Sequence, residues 1–115
     1  MSVKRMRRVN EVIREVLSEA AAAGLKDPRI GFVTITSVDT TADLRSARVY
    51  VSVLGDERAR EETLAGLERS RGYLQLLIGK ELGLKRTPLL SFVHDESINY
   101  GFRIDRLLQK MESEE

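Results

Sequence analysis

The amino-acid sequence predicts an α+β fold in which helices pack on one face of a three-stranded sheet. Three observations carry that expectation. Four segments repeat apolar residues at helical spacing, three others are rich in β-branched residues or alternate in polarity, and Gly, Pro, Asp and Thr clusters separate them. A chain of 115 residues that is 42% hydrophobic can bury one core without metal or disulfide support. It has no cysteine, which excludes a disulfide framework, a thiolate nucleophile and a thiolate metal site.

From Met6 to Ala21, the residues Met6, Val9, Ile13, Val16, Leu17 and Ala20 form the stripe of an amphipathic helix. At about 100° per residue, Lys4, Arg7, Arg8 and Arg14 project away from that stripe, with Glu11 among them. Gly24 is a stop signal, and KDPRIG, with Pro28, is a loop. In GFVTITSV, Val33 and Ile35 alternate with Thr34 and Thr36. In SARVYVSVL, Val49, Val51 and Val53 alternate with Arg48, Tyr50 and Ser52. The polar run DTTAD, Asp39 to Asp43, joins them into an antiparallel hairpin whose second face is wet or covered by a partner.

Asp56 is placed to cap the next helix, with acidic residues in its first turns and Leu64 and Leu67 in its buried stripe. The stretch RSRGYLQLLIGK then puts Gly72 where a helix should be uninterrupted, at a cost of about 0.5–1 kcal/mol relative to alanine. Beyond it Leu74, Leu77, Ile78 and Leu82 keep helical spacing as far as Gly83, and Thr87-Pro88 ends the segment. LLSFVHD is a third strand with Leu90 and Phe92 on one face. Ile104, Leu107, Leu108 and Met111 outline a last helix. The expected order is α-β-β-α-kink-α-β-α, in one domain over residues 1–111 followed by a frayed acidic tail over 112–115.

The net charge of +1 is unevenly spread. Over 1–14, Lys4, Arg5, Arg7, Arg8 and Arg14 stand against Glu11 alone; over 69–86, Arg69, Arg71, Lys80, Lys85 and Arg86 stand against Glu81 alone. Brought together, two such segments make a polyanion-binding face; kept apart, they are ordinary solvated helix surfaces. Charge alone leaves both readings open. The basic start MSVKRMRR leads into no apolar run of signal-peptide length, and Glu11, Glu15 and Glu19 do not suit a transit peptide. Nothing approaches the roughly 18 apolar residues of a membrane span. A soluble, cytoplasmic protein without membrane contact is expected.

Catalytic constellations do not emerge. His94, the single histidine, stands beside Asp95 and Glu96 at a strand end, where a hydrogen-bonded structural role is expected. Ser91 and Ser97 are near neighbours in sequence, and adjacent strand residues point to opposite faces, so they do not converge into a triad. There is no G-x-x-x-x-G-K-[ST] phosphate loop and no dinucleotide fingerprint. Asp39 and Asp43 flank a turn, which explains them without a cation. The expectation is a protein with no catalytic residue, no metal and no cofactor.

The order of elements resembles the type II KH fold, a nucleic-acid-binding module that clamps a backbone with a G-x-x-G loop between its central helices. No two glycines here are three apart, and Ser70-Arg71-Gly72 occupies the place of the loop. In order, KRMRRVNEVIREVLSE, LKDPRIGFVTITSVDTTADLRSARVYVSVLG, SRGYLQLLIGKELGLKRTPLLSFVHDESINYG and RIDRLL are similar to the ribosome-binding factor A family of bacterial small-subunit assembly factors. In that family an Ala-x-Gly kink replaces the loop; Ser70 departs from its alanine.

The resemblance implies a non-catalytic ribosome assembly factor. It would bind the immature small ribosomal subunit and its rRNA, support late rRNA processing, be linked to cold adaptation, and be released by another assembly factor such as a GTPase. On that reading the kink at Ser70, Arg71 and Gly72 exposes the N-terminal amides of the second helix to phosphate. Lys4, Arg7, Arg8, Arg14, Arg69, Arg71, Lys80, Lys85 and Arg86 form the RNA-binding set. Arg29 binds phosphate or anchors its loop, and Tyr50 and Tyr73 are expected to pack half-buried rather than stack on bases. The alternative is a protein-interaction domain that uses the sheet face or an edge strand, its basic residues only solubilising. No sustained heptad is present, so a monomer is expected.

Overall fold

The computed structural model describes residues 3–25 and 27–95. Helix α1 (Val3–Ala23) precedes strands β1 (Val33–Thr40) and β2 (Ser46–Val53), helices α2 (Glu57–Arg69) and α3 (Arg71–Leu82), and strand β3 (Leu89–His94). The α+β class and the order of elements through β3 are those expected. The last helix, the boundary at 111 and the acidic tail lie outside the described residues.

The sheet has the order β1-β2-β3, with β1 and β2 an antiparallel hairpin and β2 and β3 parallel. A parallel neighbour needs a long crossover, which α2 and α3 supply. Ala47, Val49, Val51 and Val53 of β2 are all buried, and around them pack Ile35, Leu90, and Val9, Ile13 and Leu17 of α1. Leu67 of α2 and Leu74 and Ile78 of α3 complete the core. The other face of β2 carries Ser46, Arg48, Tyr50 and Ser52, exposed or half-buried.

Alternation in β1 breaks once. Ile35 pairs with Val51 and Ser37 with Tyr50, which leaves Thr36 as the extra residue of a β-bulge. The period of two would otherwise send Ser37 and Asp39 inward after Val33 and Ile35. With the bulge, half-buried Val38 and buried Thr40 take the core side instead. Thr36 Oγ1 lies 2.7 Å from Asp95 Oδ2 and 3.1 Å from the Tyr50 carbonyl, fastening the bulge across the sheet to the end of β3. The hydroxyl of Thr40 bonds the side-chain oxygen of Asn10, so this buried polar group of β1 is satisfied by α1.

The run Asp39–Asp43 reads as a turn in sequence, but β1 continues to Thr40 and Asp39 stands in the strand opposite Arg48. The turn is Thr41–Arg45. Asp43 Oδ1 accepts the Thr41 hydroxyl at 2.7 Å and the Arg45 amide at 3.1 Å, and these bonds hold its carboxyl below the usual carboxylate range. Leu44 has the left-handed φ of 59°, a strained value for leucine, and its side chain is buried in the core.

The loop between α1 and β1 is fastened to α2. Gly31 N donates to Thr63 Oγ1 at 3.2 Å, and buried Gly66 lets Ile30 lie directly against the helix. A Cβ at residue 66 would stand 2.5 Å from Ile30 Cγ1.

Two outcomes are expected. Gly66→Ala destabilises the fold by about 1–3 kcal/mol through overpacking, seen as a lower urea midpoint; an unchanged midpoint would mean that the Ile30 loop yields freely. Asp43 titrates below a free aspartate when followed by carboxyl NMR. Because its folded pKa is depressed, the turn bonds stabilise above the ordinary carboxylate pKa, and that contribution disappears as pH falls through the folded value.

Candidate nucleic-acid interface

The break between α2 and α3 is built at Ser70, which ends one helix and opens the next with φ −83° and ψ −1°. Its amide donates to the carbonyls of both Gly66 and Leu67 at 3.1 Å, the tightening of a last turn, and its carbonyl accepts Leu74 N at 2.9 Å. The amides of Arg71, Gly72 and Tyr73 therefore have no acceptor within α3. The Ser70 hydroxyl makes no capping bond, whereas Asp56 caps α2 through Ala59 N at 2.9 Å.

Glycine does not force this break. Positive φ is confined to Leu44, Gly24, Gly55 and Gly83 among the described residues, so Gly72 is an ordinary helical residue, and a Cβ there would meet nothing within 4 Å. The two segments also differ in packing: α2 lies against β3 and β2, and α3 against α1 and β3. The backbone at Gly72 does not require glycine, and the missing side chain leaves the first turn of α3 uncovered.

The basic residues at the junction differ in availability. Arg71 is half-buried and bound to Glu68 across the break, Nη2 to Oε2 at 2.7 Å. Arg69 is exposed, and no carboxylate among the described residues engages it. Tyr73, expected to pack half-buried, is 56% exposed, while Tyr50 is half-buried on the open sheet face. Leu74 and Ile78 take the buried side of α3, and Tyr73, Leu76 and Lys80 share the exposed side. Arg69 and Tyr73 line a cleft of about 450 Å³ with Ala20, Ala23 and Leu25 at the end of α1, and Asp27 just beyond.

A second group forms at the other end of α3. Arg5, Arg45, Lys85 and Arg86, with Asp43 among them 3.9 Å from Arg45, surround a hollow over Leu44 and Leu84. Since α1 meets the kink through Ala20 and Ala23 and meets the 84–86 loop through Arg5, α1 and α3 run antiparallel. The two groups stand about 18 Å apart along the twelve residues of α3. Lys80, in the last turn of α3, lies between them on the same exposed stripe as Tyr73.

On α1, Lys4, Arg7, Arg8 and Arg14 are all exposed, but they do not share one flank. Helical phase puts Arg8 about 60° from Arg5, toward α3, and Arg14 about 180° from Arg5. Arg7 lies within about 20° of Arg14, on the flank of the helix turned from α3. The structure thus gathers Arg69, Lys80, Lys85 and Arg86 along α3, adds Arg8 at its margin, and leaves Arg7 and Arg14 aside. Arg5 and Arg45 are the residues that sequence reasoning left out of the set. A basic residue in the turn between β1 and β2 carries no periodic signal, so only its position in space marks it.

Other expectations have plain outcomes. Arg29 is exposed, and its amide bonds Asp27 Oδ1 at 2.9 Å, so its backbone closes the loop. Among the described residues no group of three His, Cys, Asp or Glu side chains is placed to hold a metal, and no helix is long and apolar enough to cross a membrane. On the open sheet face Asp39, Arg48 and Ser91 align in one row, flanked by exposed Leu89 and Val93.

Comparison with known proteins bears on this arrangement. A family model described as Ribosome-binding factor A matches residues 5–108. The ribosome-binding factor A of Halothermothrix orenii is 44% identical over 115 residues, covering 100% of this chain and 94% of the relative. That of Geobacter sulfurreducens is 49% identical over 110 residues, covering 96% and 93%. The crystal structure of ribosome-binding factor A from Thermus thermophilus superposes with a TM-score of 0.67 at 25% identity, covering 77% of this chain and 93% of that one. Coordinates of the same Thermus protein fitted into a cryo-EM map of a 30S complex give a TM-score of 0.60 at 25% identity, covering 80% and 92%.

The geometry of the break makes one stability test. Gly72→Ala raises stability, by up to about 0.5–1 kcal/mol in thermal or urea unfolding, because the backbone is already helical and the space is open. Destabilisation of that size instead would show that the junction does require glycine.

Proposed function

The chain belongs to the ribosome-binding factor A family, and on that premise we propose that it is a non-catalytic assembly factor that grips the rRNA of the immature small ribosomal subunit. The observation that supports this most directly is the cationic track along α3. Arg69 stands at one end, Lys80 within, and Arg5, Arg45, Lys85 and Arg86 at the other end. A surface about 18 Å long reaches several phosphates of a folded RNA and positions it without reading bases. A related protein has been placed in a complex with the 30S particle, and the same partner is proposed here. The protein works in the cytoplasm as a monomer, supports late rRNA processing, matters most in the cold, and leaves with the help of a second assembly factor such as a GTPase.

The alternative role as a protein-interaction domain draws on the open sheet face, where Leu89 and Val93 are exposed at 55% and 38%. Salt separates the two readings. Cosedimentation with immature small subunits across a salt series is expected to give log K falling by roughly 0.7–0.9 per phosphate contacted, for each unit of log salt. Arg69→Glu, Lys80→Glu and Arg86→Glu each weaken binding and flatten that slope by about one, while Arg14→Glu changes it less. A flat wild-type slope, together with lost binding in Val93→Asp, would transfer the assignment to the sheet face.

A further inference from the structure

We propose that the cleft at the kink is a pocket for one unpaired nucleobase of the bound RNA, with guanine preferred. This inference rests on the RNA-binding reading and adds to it a base-recognising site at the Arg69 end of the phosphate track.

The cleft is made by sequence features far apart in the chain. α1 ends in Ala20–Ala23, and Ala20 and Ala23, with no side chain beyond Cβ, leave a hollow between that end and the start of α3. Its volume of about 450 Å³ falls in the range of roughly 300–1,000 Å³ typical of small-ligand clefts. Leu25 supplies an apolar wall and Tyr73, 56% exposed, an aromatic ring on the opposing element. An exposed ring beside a cationic track is the arrangement on which unpaired bases stack. Arg69, on the same rim, gives the attached phosphate its counter-charge.

Asp27 supplies the preference. It is half-buried and lines the cleft, its Oδ1 accepts the Arg29 amide at 2.9 Å, and its Oδ2 has no hydrogen bond to another described residue. A carboxylate only accepts hydrogen bonds. Guanine offers two adjacent donors on its Watson–Crick edge, N1–H and N2–H. Adenine and cytosine each place one donor beside an acceptor, and uracil places its single donor between two carbonyls that the carboxylate repels. Charge and donor count therefore favour guanine over the other three.

The test uses the full chain, with the four nucleoside 5′-monophosphates as probes in amide NMR titrations and immature small subunits in cosedimentation. GMP is expected to shift the amides of residues 23–25 and 69–73, binding about tenfold more tightly than UMP. Asp27→Asn, which retains an oxygen for the Arg29 amide, erases the preference. Tyr73→Ala weakens GMP and subunit binding by about tenfold without changing the salt slope; Tyr73→Phe restores both. Ala23→Leu, which fills the cleft from an exposed helix position, gives the same loss without altering charge or ring. If GMP shifts nothing in the cleft, and Tyr73→Ala and Ala23→Leu bind subunits normally while Arg69→Glu does not, the pocket is overturned and the phosphate track stands. If subunit binding is indifferent to salt and to Arg69→Glu, the RNA-binding reading itself falls, and the pocket with it.

Discussion

The buried side of β2 organises everything else in the molecule. Ala47, Val49, Val51 and Val53 present one continuous apolar strip, and Val49 and Val51 have no solvent exposure at all. A strip of this kind in the middle of a sheet must be covered along its length. The α1 helix covers it beside β1, and α2 and α3 cover it beside β3. Because the described helices occupy one side, the other retains the polar half of the alternation, from Ser46 to Ser52. Burial of a few valines thus decides which surface of the protein carries helix ends and charge.

From that packing follows the break at Ser70. Two helical segments joined by a single residue share β3, but α2 also packs on β2 and α3 on α1. The consequence is chemical. The first turn of α3 opens into a cleft beside the end of α1, with Arg69 on its rim. Arg71, the closer of the two arginines by sequence, is bound to Glu68 instead. A half-exposed ion pair of this sort adds little stability, and it leaves Arg69 as the arginine at the junction that faces outward.

A near-neutral chain acquires a cationic surface by sorting rather than by excess. The antiparallel arrangement of α1 and α3 brings Arg5 to Lys85 and Arg86, and the turn after β1 adds Arg45. That turn is itself a polar device, in which Asp43 ties Thr41 to Arg45 and Leu44 points its side chain inward from a left-handed backbone. In the function proposed for this member of the ribosome-binding factor A family, the sorted charge faces the phosphates of rRNA.

By itself the sequence determined whatever depends on local periodicity. The stripe Val9, Ile13, Leu17 defined α1, and the alternation around Val49 defined β2. Asp56 and Gly83 marked where the middle helical stretch starts and stops, because caps act within a turn of where they sit. Only the tertiary structure decided that Thr36 is a bulge, that Ser70 rather than Gly72 carries the break, that Tyr73 faces outward, and that Arg5 and Arg45 join Lys85 while Arg14 does not. Each of these is a relation between residues distant along the chain, settled by which element packs on which, and a helical or strand period holds no information about that.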